Sequence, residues 1–258
     1  YIMRIPGEGT EQLINRKEEA EVYNTIKGLG ICDELFYINP KNGMKISAFV
    51  NNSRCCDAYD DEDLKKCMKK LKAFHQMKLK VGHTFDIYQK IDFYESLWSE
   101  KSIFNDYEKT KLNTLSLKKY IDKCKPDFSL THIDAVPDNF LFSTTKEGKE
   151  EMQLIDWEYA AMQDPHVDIA MFCIYSCYKE KKNIDNLIDI YFEGKCSIQN
   201  RIKIYCYVAL CGLLWSNWCE YKRQLGVEFG EYSLMQYRYA KDYFKIATEE
   251  MKKNGIEL

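Results

Sequence analysis

Leu130–Asp168, LTHIDAVPDNFLFSTTKEGKEEMQLIDWEYAAMQDPHVD, sets His132, Asp134, Asn139, Asp156, Glu158 and Asp168 between short apolar runs. Asp134 and Asn139 stand five positions apart in what reads as a loop. Phe140–Phe142 and Met152–Ile155 read as two short strands joined by the polar turn Ser143–Glu151. A hairpin of that form carries Asp156 back beside Asn139. One carboxylate to orient a hydroxyl, then a carboxamide and a second carboxylate to hold magnesium on ATP, is a set that suits phosphoryl transfer.

The pattern His132-x-Asp134-x4-Asn139, followed by Ile155-Asp156-Trp157-Glu158-Tyr159-Ala160, resembles the catalytic core of the choline and ethanolamine kinases. These are related to the aminoglycoside phosphotransferases and, distantly, to protein kinases. The bacterial choline kinases are especially similar, since the chain nearly repeats their H-x-D-x-x-P-x-N-x-L and D-W-E-Y-A patterns, and the likeness runs from Tyr1 to about residue 250. It implies an α+β, two-lobed, protein-kinase-like fold. Residues 1–50 would form a small ATP-binding lobe of sheet plus helix, and residues 51–258 a larger, mainly helical lobe with the catalytic loop and a choline pocket.

The resemblance also implies roles. Asp134 accepts a hydrogen bond from the choline hydroxyl and aligns it on the γ-phosphorus of ATP, and Asn139 and Asp156 ligate Mg2+. Glu158 reaches a second metal or its water shell, a solvated acid being the alternative. His132 supports the loop. Asp168 braces it through backbone hydrogen bonds, or else is a plain N-cap for the apolar helix Ile169–Tyr178.

Upstream, Tyr1–Ile5 alternates as a strand and Pro6-Gly7-Glu8-Gly9 ends it. In the family this strand carries an arginine where protein kinases carry a phosphate-contacting lysine. Arg4 is thus expected at the ATP phosphates, with a solvated edge-strand arginine as the alternative. Thr10–Gly28 reads as a helix with Thr10 as N-cap, and by resemblance Glu19, chosen over Glu18, pairs with Arg4. Leu35–Ile38 and Met44–Val50 make a hairpin around Asn39–Gly43. Ser47–Val50 is the expected hinge, where the backbone meets the adenine edge and Phe49 and Val50 line it. The phosphate-covering hairpin that precedes this strand in the family is missing, and the first residue is Tyr rather than Met. The expectation is a sequence that lacks its true start.

Asn51–Tyr59 reads as a polar connector that gives Arg54, Cys55 and Cys56 no role. Asp60–Leu79, Phe85–Trp98, Ile103–Cys124, Ile184–Phe192, Arg201–Arg223 and Tyr232–Lys252 read as helices, and His75 as a structural histidine. Trp215 and Trp218 share a helix face, and spacing alone makes them core. In choline kinases, however, W-x-x-W builds the box for a quaternary ammonium, and Tyr159 and Tyr232 match its other walls. Each ring face contributes about 0.5–2 kcal/mol when desolvated. Tyr175 stands where animal enzymes carry a glutamate, which favours choline over ethanolamine. An aminoglycoside, thiamine or sugar kinase, or a non-catalytic binding module, are the competing readings.

Composition sets the remaining bounds. A net charge of −3 offers no basic excess for nucleic acid or an anionic membrane, and the small-molecule partner is what the resemblance implies. Eleven cysteines, odd in number and without a C-x2-C pair, fit reduced thiols in a cytoplasm. The longest apolar run, Ile204–Trp215, is a dozen residues, against about 20 for a membrane span.

Overall fold

The computed structural model describes residues 1–7, 10–145 and 147–256; Glu8 and Gly9 of the expected first turn and Lys146 of the polar turn lie outside them. The chain is mixed α+β, with small sheets towards its N-terminus and a helical C-terminal region. It packs as two compact units, Tyr1–Phe85 with Phe128–Asp168, and Asp86–Asp127 with Ile169–Leu258.

In the first unit, strands β1 (Ile2–Arg4), β2 (Leu35–Ile38) and β3 (Lys45–Ser47) form an antiparallel sheet with β3 in the centre. The β2–β3 turn closes through Asn39 N–H to Met44 O and Gly43 N–H to Asn39 O, both 2.8 Å. Gly43 sits at φ +72°, a left-handed conformation that glycine takes without steric cost.

Helix α1 (Arg16–Ile26) starts later than expected. Asn15 caps it, its side-chain oxygen accepting from Lys17 N at 3.1 Å. Thr10 opens only a 3-10 turn, Thr10–Gln12, and its hydroxyl bonds Gly7 O at 2.7 Å instead of capping α1. Val22, Tyr23 and Ile26 are fully buried, and they fix the face that α1 turns inward.

The expected connector 51–59 contains a short strand, β4 (Arg54–Cys55). It pairs with β6 (Phe140–Thr144), which pairs in turn with β7 (Glu150–Leu154). Arg54 has a role after all. It forms a bidentate pair with Asp63, in the first turn of α2 (Asp61–Gln76), and lies 4.5 Å from the centre of the Phe142 ring. Leu64, Met68, Leu71 and Phe74 line the buried face of α2, as their period requires. Strands β5 (Ser129–Thr131) and β8 (Ala161–Gln163), which sequence reading missed, pair antiparallel.

The second unit is helical. Helices α3 (Ile87–Ser96), α4 (Tyr107–Ser116) and α5 (Lys118–Lys123) come from its first segment. The single helix expected over 103–124 divides at Leu117, where bonding switches to i→i−3, from Leu117 N to Thr114 O and Tyr120 N to Leu117 O. Helix α6 (His166–Tyr175) begins three residues before the expected Ile169, so Asp168 lies inside its first turn and is not its N-cap. Then follow α7 (Lys181–Phe192), α8 (Ile198–Gln224) and α9 (Glu231–Lys253).

Helix α8 is buried on nearly every side from Ile202 to Asn217. Gly212, at its middle, is explained by α9. A Cβ there would lie 2.7 Å from Tyr239 Cβ and 2.8 Å from Gln236 O. The glycine costs about 1 kcal/mol of helix propensity, and the close approach of the two helices offsets it.

Among the described residues, no helix is long and apolar enough to cross a membrane. All eleven cysteines are free thiols.

Candidate active site

Strand β7 delivers Asp156 where the hairpin argument puts it. Ile155 N–H donates to Asn139 O at 2.9 Å, which sets the carboxylate-bearing residue beside the carboxamide-bearing one. Asp156 itself is left-handed, at φ +64°. The turn after it is locked by Trp157, fully buried, whose indole N–H donates to Leu154 O at 2.7 Å and whose ring meets Phe74 edge-on. His132 packs on Trp157 with centroids 4.5 Å apart and donates from Nε2 to Ile155 O at 2.9 Å. Burial holds the His132 pKa below its ordinary value, so the imidazole is neutral and acts as a fixed spacer.

The loop between β5 and β6 hangs on Asp168. Its two oxygens accept from His132 N at 3.0 Å and Ile133 N at 2.7 Å, and His75 Nε2–H donates to it at 2.9 Å. Ile133 has φ +69°, a costly conformation for a β-branched residue, so the carboxylate holds backbone that would otherwise relax. His75 is therefore bonded and structural.

Asp134 and Asn139 meet directly. The Asn139 amide nitrogen donates to Asp134 O at 2.8 Å and to Asp134 Oδ2 at 3.1 Å, leaving Asn139 Oδ1 as the atom able to ligate a cation. Burial first, then the charge of Asp156, pushes the Asp134 carboxyl up to about 7.

Arg4 is held by a fork. Its terminal nitrogens reach the two oxygens of Glu19 at 2.6 and 2.7 Å, and Nη2 also donates to Gly43 O at 2.9 Å. Nη1 lies 3.3 Å from Glu158 Oε2 and 3.9 Å from Asp156 Oδ1. Arg16 joins from the start of α1, with Nη1 3.0 Å from both Glu19 Oε2 and Glu158 Oε2. Glu158, expected at a second metal or its water shell or else as a solvated acid, lies between two guanidinium groups. Burial and Asp156 raise its pKa, and the two arginines act against that.

Beside this cluster is a cavity of about 280 Å³ lined by Ile2, Arg4, Phe49, Val50, Leu141 and Asp156 among others. Both expected hinge residues thus face the same space as Arg4.

The residues fit a magnesium ion. Among the described residues no three His, Cys, Asp or Glu side chains form a metal cluster. Magnesium does not need one, because it binds through one or two carboxylates plus substrate phosphates. Asp156, with its side chain 42% exposed, and the remaining oxygen of Asn139 supply such a donor set.

In the second unit, Trp215 and Trp218 are perpendicular, with centroids 5.6 Å apart. Phe229 lies 5.0 Å from Trp218 and 6.4 Å from Tyr232, and Tyr232 lies 6.0 Å from Tyr175. The Trp215 indole N–H points to Met171 Sδ at 3.0 Å. Tyr159, expected as another wall, is half-buried in the first unit. The sequence assigns Arg16 and Phe229 no part in the site, and Gly43 only a place in a turn. Asn42-Gly43 is a visible turn signal, but nothing local marks a glycine that packs on an arginine stem.

A carboxylate bonded to an amide, with a second carboxylate-bearing residue set beside them, on an α+β fold, fits the class of small-molecule phosphotransferases. The sequence model of the choline/ethanolamine kinase family matches residues 1–208, and the chain belongs to that family, whose members transfer phosphate to an alcohol group. Protein LicA of Haemophilus influenzae is 26% identical over 248 residues, covering 91% of this chain and 70% of LicA. The crystal structure of choline kinase LicA from Streptococcus pneumoniae superposes with a TM-score of 0.81 at 28% identity, over 95% of this chain and 85% of that one. A structure of LicA in complex with AMP superposes equally well, at 28% identity, over 95% of this chain and 84% of its own.

Proposed function

We propose that the protein transfers the γ-phosphoryl group of ATP to the hydroxyl of choline, giving phosphocholine and ADP. The observation that carries the choline reading is the cluster of Trp215, Trp218, Phe229 and Tyr232, with Tyr175 rather than a carboxylate at its edge. Ring faces attract a trimethylammonium without needing hydrogen bonds, whereas the ammonium of ethanolamine asks for acceptors. The LicA structures support the same choice of acceptor and nucleotide.

Asp134 accepts the hydrogen bond of the acceptor hydroxyl and fixes its direction, while Asn139 holds Asp134 in place. Positioning dominates such a reaction, because its loose transition state asks for little early proton removal. Arg4, aligned by Glu19, contacts the phosphates, and Phe49 and Val50 line the adenine. Asn139 and Asp156 would hold magnesium, whose charge offsets that of the phosphates. Glu158 belongs with the arginines and not with the metal. Residues 1–50, all within the first unit, form the lobe that binds ATP.

Turnover of ATP with choline, ethanolamine, thiamine and an aminoglycoside tests the reading. A preference for any acceptor but choline overturns it. Asp156→Ala is expected to abolish activity at every magnesium concentration, whereas Glu158→Gln keeps a magnesium optimum. A magnesium titration of both variants checks this, and a lost optimum in Glu158→Gln would return Glu158 to the metal.

Trp218→Ala is expected to raise KM for choline about five- to thirtyfold, from about 1–2 kcal/mol of lost ring-face attraction, with KM for ATP unmoved. Trp218→Phe keeps a ring face and most of the affinity. Trp215→Ala follows the same rule but opens the core beside Met171, so circular dichroism accompanies its kinetics. Unchanged choline binding in folded Ala variants would make the two indoles packing residues.

A further inference from the structure

We propose that Arg16 is a positioning residue for nucleotide use, acting through Glu158 and Glu19 on Arg4. This rests on the reading of Arg4 as the phosphate contact. Three carboxylates, Glu19, Glu158 and Asp156, stand within 4 Å of Arg4, and Arg4 spends both terminal nitrogens on Glu19. A single guanidinium facing three carboxylates is drawn towards all of them and has little left for a triphosphate. Arg16 changes that balance. It is 8% exposed, its Nη1 lies 3.0 Å from one oxygen of Glu19 and 3.0 Å from one oxygen of Glu158, and its Nη2 donates to Thr10 Oγ1 at 3.3 Å.

One guanidinium nitrogen, with its two N–H groups, serves both carboxylates at once, while the other is fixed on Thr10. Arg16 thereby takes up Glu158 from the catalytic segment and steadies Glu19 on its own helix, which leaves the outer face of Arg4 for phosphate. Gly43 is part of the device. A Cβ at this residue would fall 2.4 Å from Arg16 Cδ and 2.5 Å from Arg16 Nε, and Gly43 O is itself an acceptor for Arg4. Only glycine lets the Arg16 stem lie across the β2–β3 turn.

The test is calorimetric ATP binding in the presence of magnesium to the full chain and four variants, with KM for choline and Tm measured alongside. Arg16→Met is expected to weaken ATP at least about tenfold, as the loss of one partner from a buried charge group does, while KM for choline stays near wild type. Arg16→Lys keeps the charge but not the second nitrogen that bonds Thr10, and falls between.

The double variant Arg16→Met/Glu158→Gln is expected to regain most of the affinity, because it restores the charge balance around Arg4 without restoring any packing. Gly43→Ala, whose Cβ displaces the Arg16 stem and strains a left-handed residue, should reproduce the ATP defect. Arg16→Met binding ATP as wild type does, or a loss that Glu158→Gln does not repair, overturns the proposal. If Arg16→Met does not fold, Arg16→Lys and Gly43→Ala binding ATP normally overturn it as well. Wild type that binds no ATP is a separate outcome, and it removes the nucleotide reading of Arg4 first.

Discussion

Asp134→Asn is expected to lower turnover by about 10²–10⁴-fold, the range for a positioned acid–base group, with ATP binding retained. The substitution leaves the loop in place, because the shorter bond from Asn139 goes to the backbone oxygen of residue 134, at 2.8 Å, and not to the carboxylate. What the proposed mechanism loses is a carboxylate acceptor for the alcohol. Single-turnover measurements with saturating ATP separate this from a binding defect. Turnover within a few-fold of wild type would remove Asp134 from the mechanism.

The second large effect is on folding. Asp168 is fully buried and accepts from two backbone amides and from His75. Asp168→Ala strands all three donors in the interior and releases Ile133 from its left-handed conformation. Breaking a buried charged network by removing one partner costs about 3–5 kcal/mol. The expected result is a fall of that size in unfolding free energy by urea titration. Activity should be absent even in conditions where the variant is folded, because the loop carrying Asp134 has lost its anchor. A variant less than about 1 kcal/mol below wild type would show that the loop is held by other means.

These two effects come from residues that were legible in the sequence for a physical reason. His132, Asp134, Asn139, Asp156 and Asp168 lie within 37 residues of one another, on a loop, a hairpin and one helical turn. Short-range geometry was enough to bring Asp156 to Asn139. The choice of Glu19 over Glu18 rested on resemblance, and it is Glu19 that meets Arg4.

What the sequence hid has equally physical causes. Strands β5 and β8 are three residues each, too short to display alternation. The start of α1 was misread because Thr10 and Asn15 are both good caps, and the difference lies in which backbone amides each one reaches. Arg16 and Glu158 are 142 positions apart, so no pattern within a helix or hairpin announces their contact. Arg54 looked like part of a polar linker until β4 brought it to Asp63.

Gly212 has a further consequence for the proposed acceptor cluster. The helix bearing Trp215 and Trp218 and the helix bearing Tyr232 touch backbone to backbone at Gln236 and Ala240. With no side chain at residue 212 to act as a cushion, a change that shifts one axis is transmitted to the other. A library confined to the aromatic positions would therefore sample arrangements of the proposed acceptor cluster along one shared coordinate, not independently at each ring. Real freedom would come from relaxing the crossing itself, for instance by trimming Tyr239, and its cost would be a looser seam between the two longest helices.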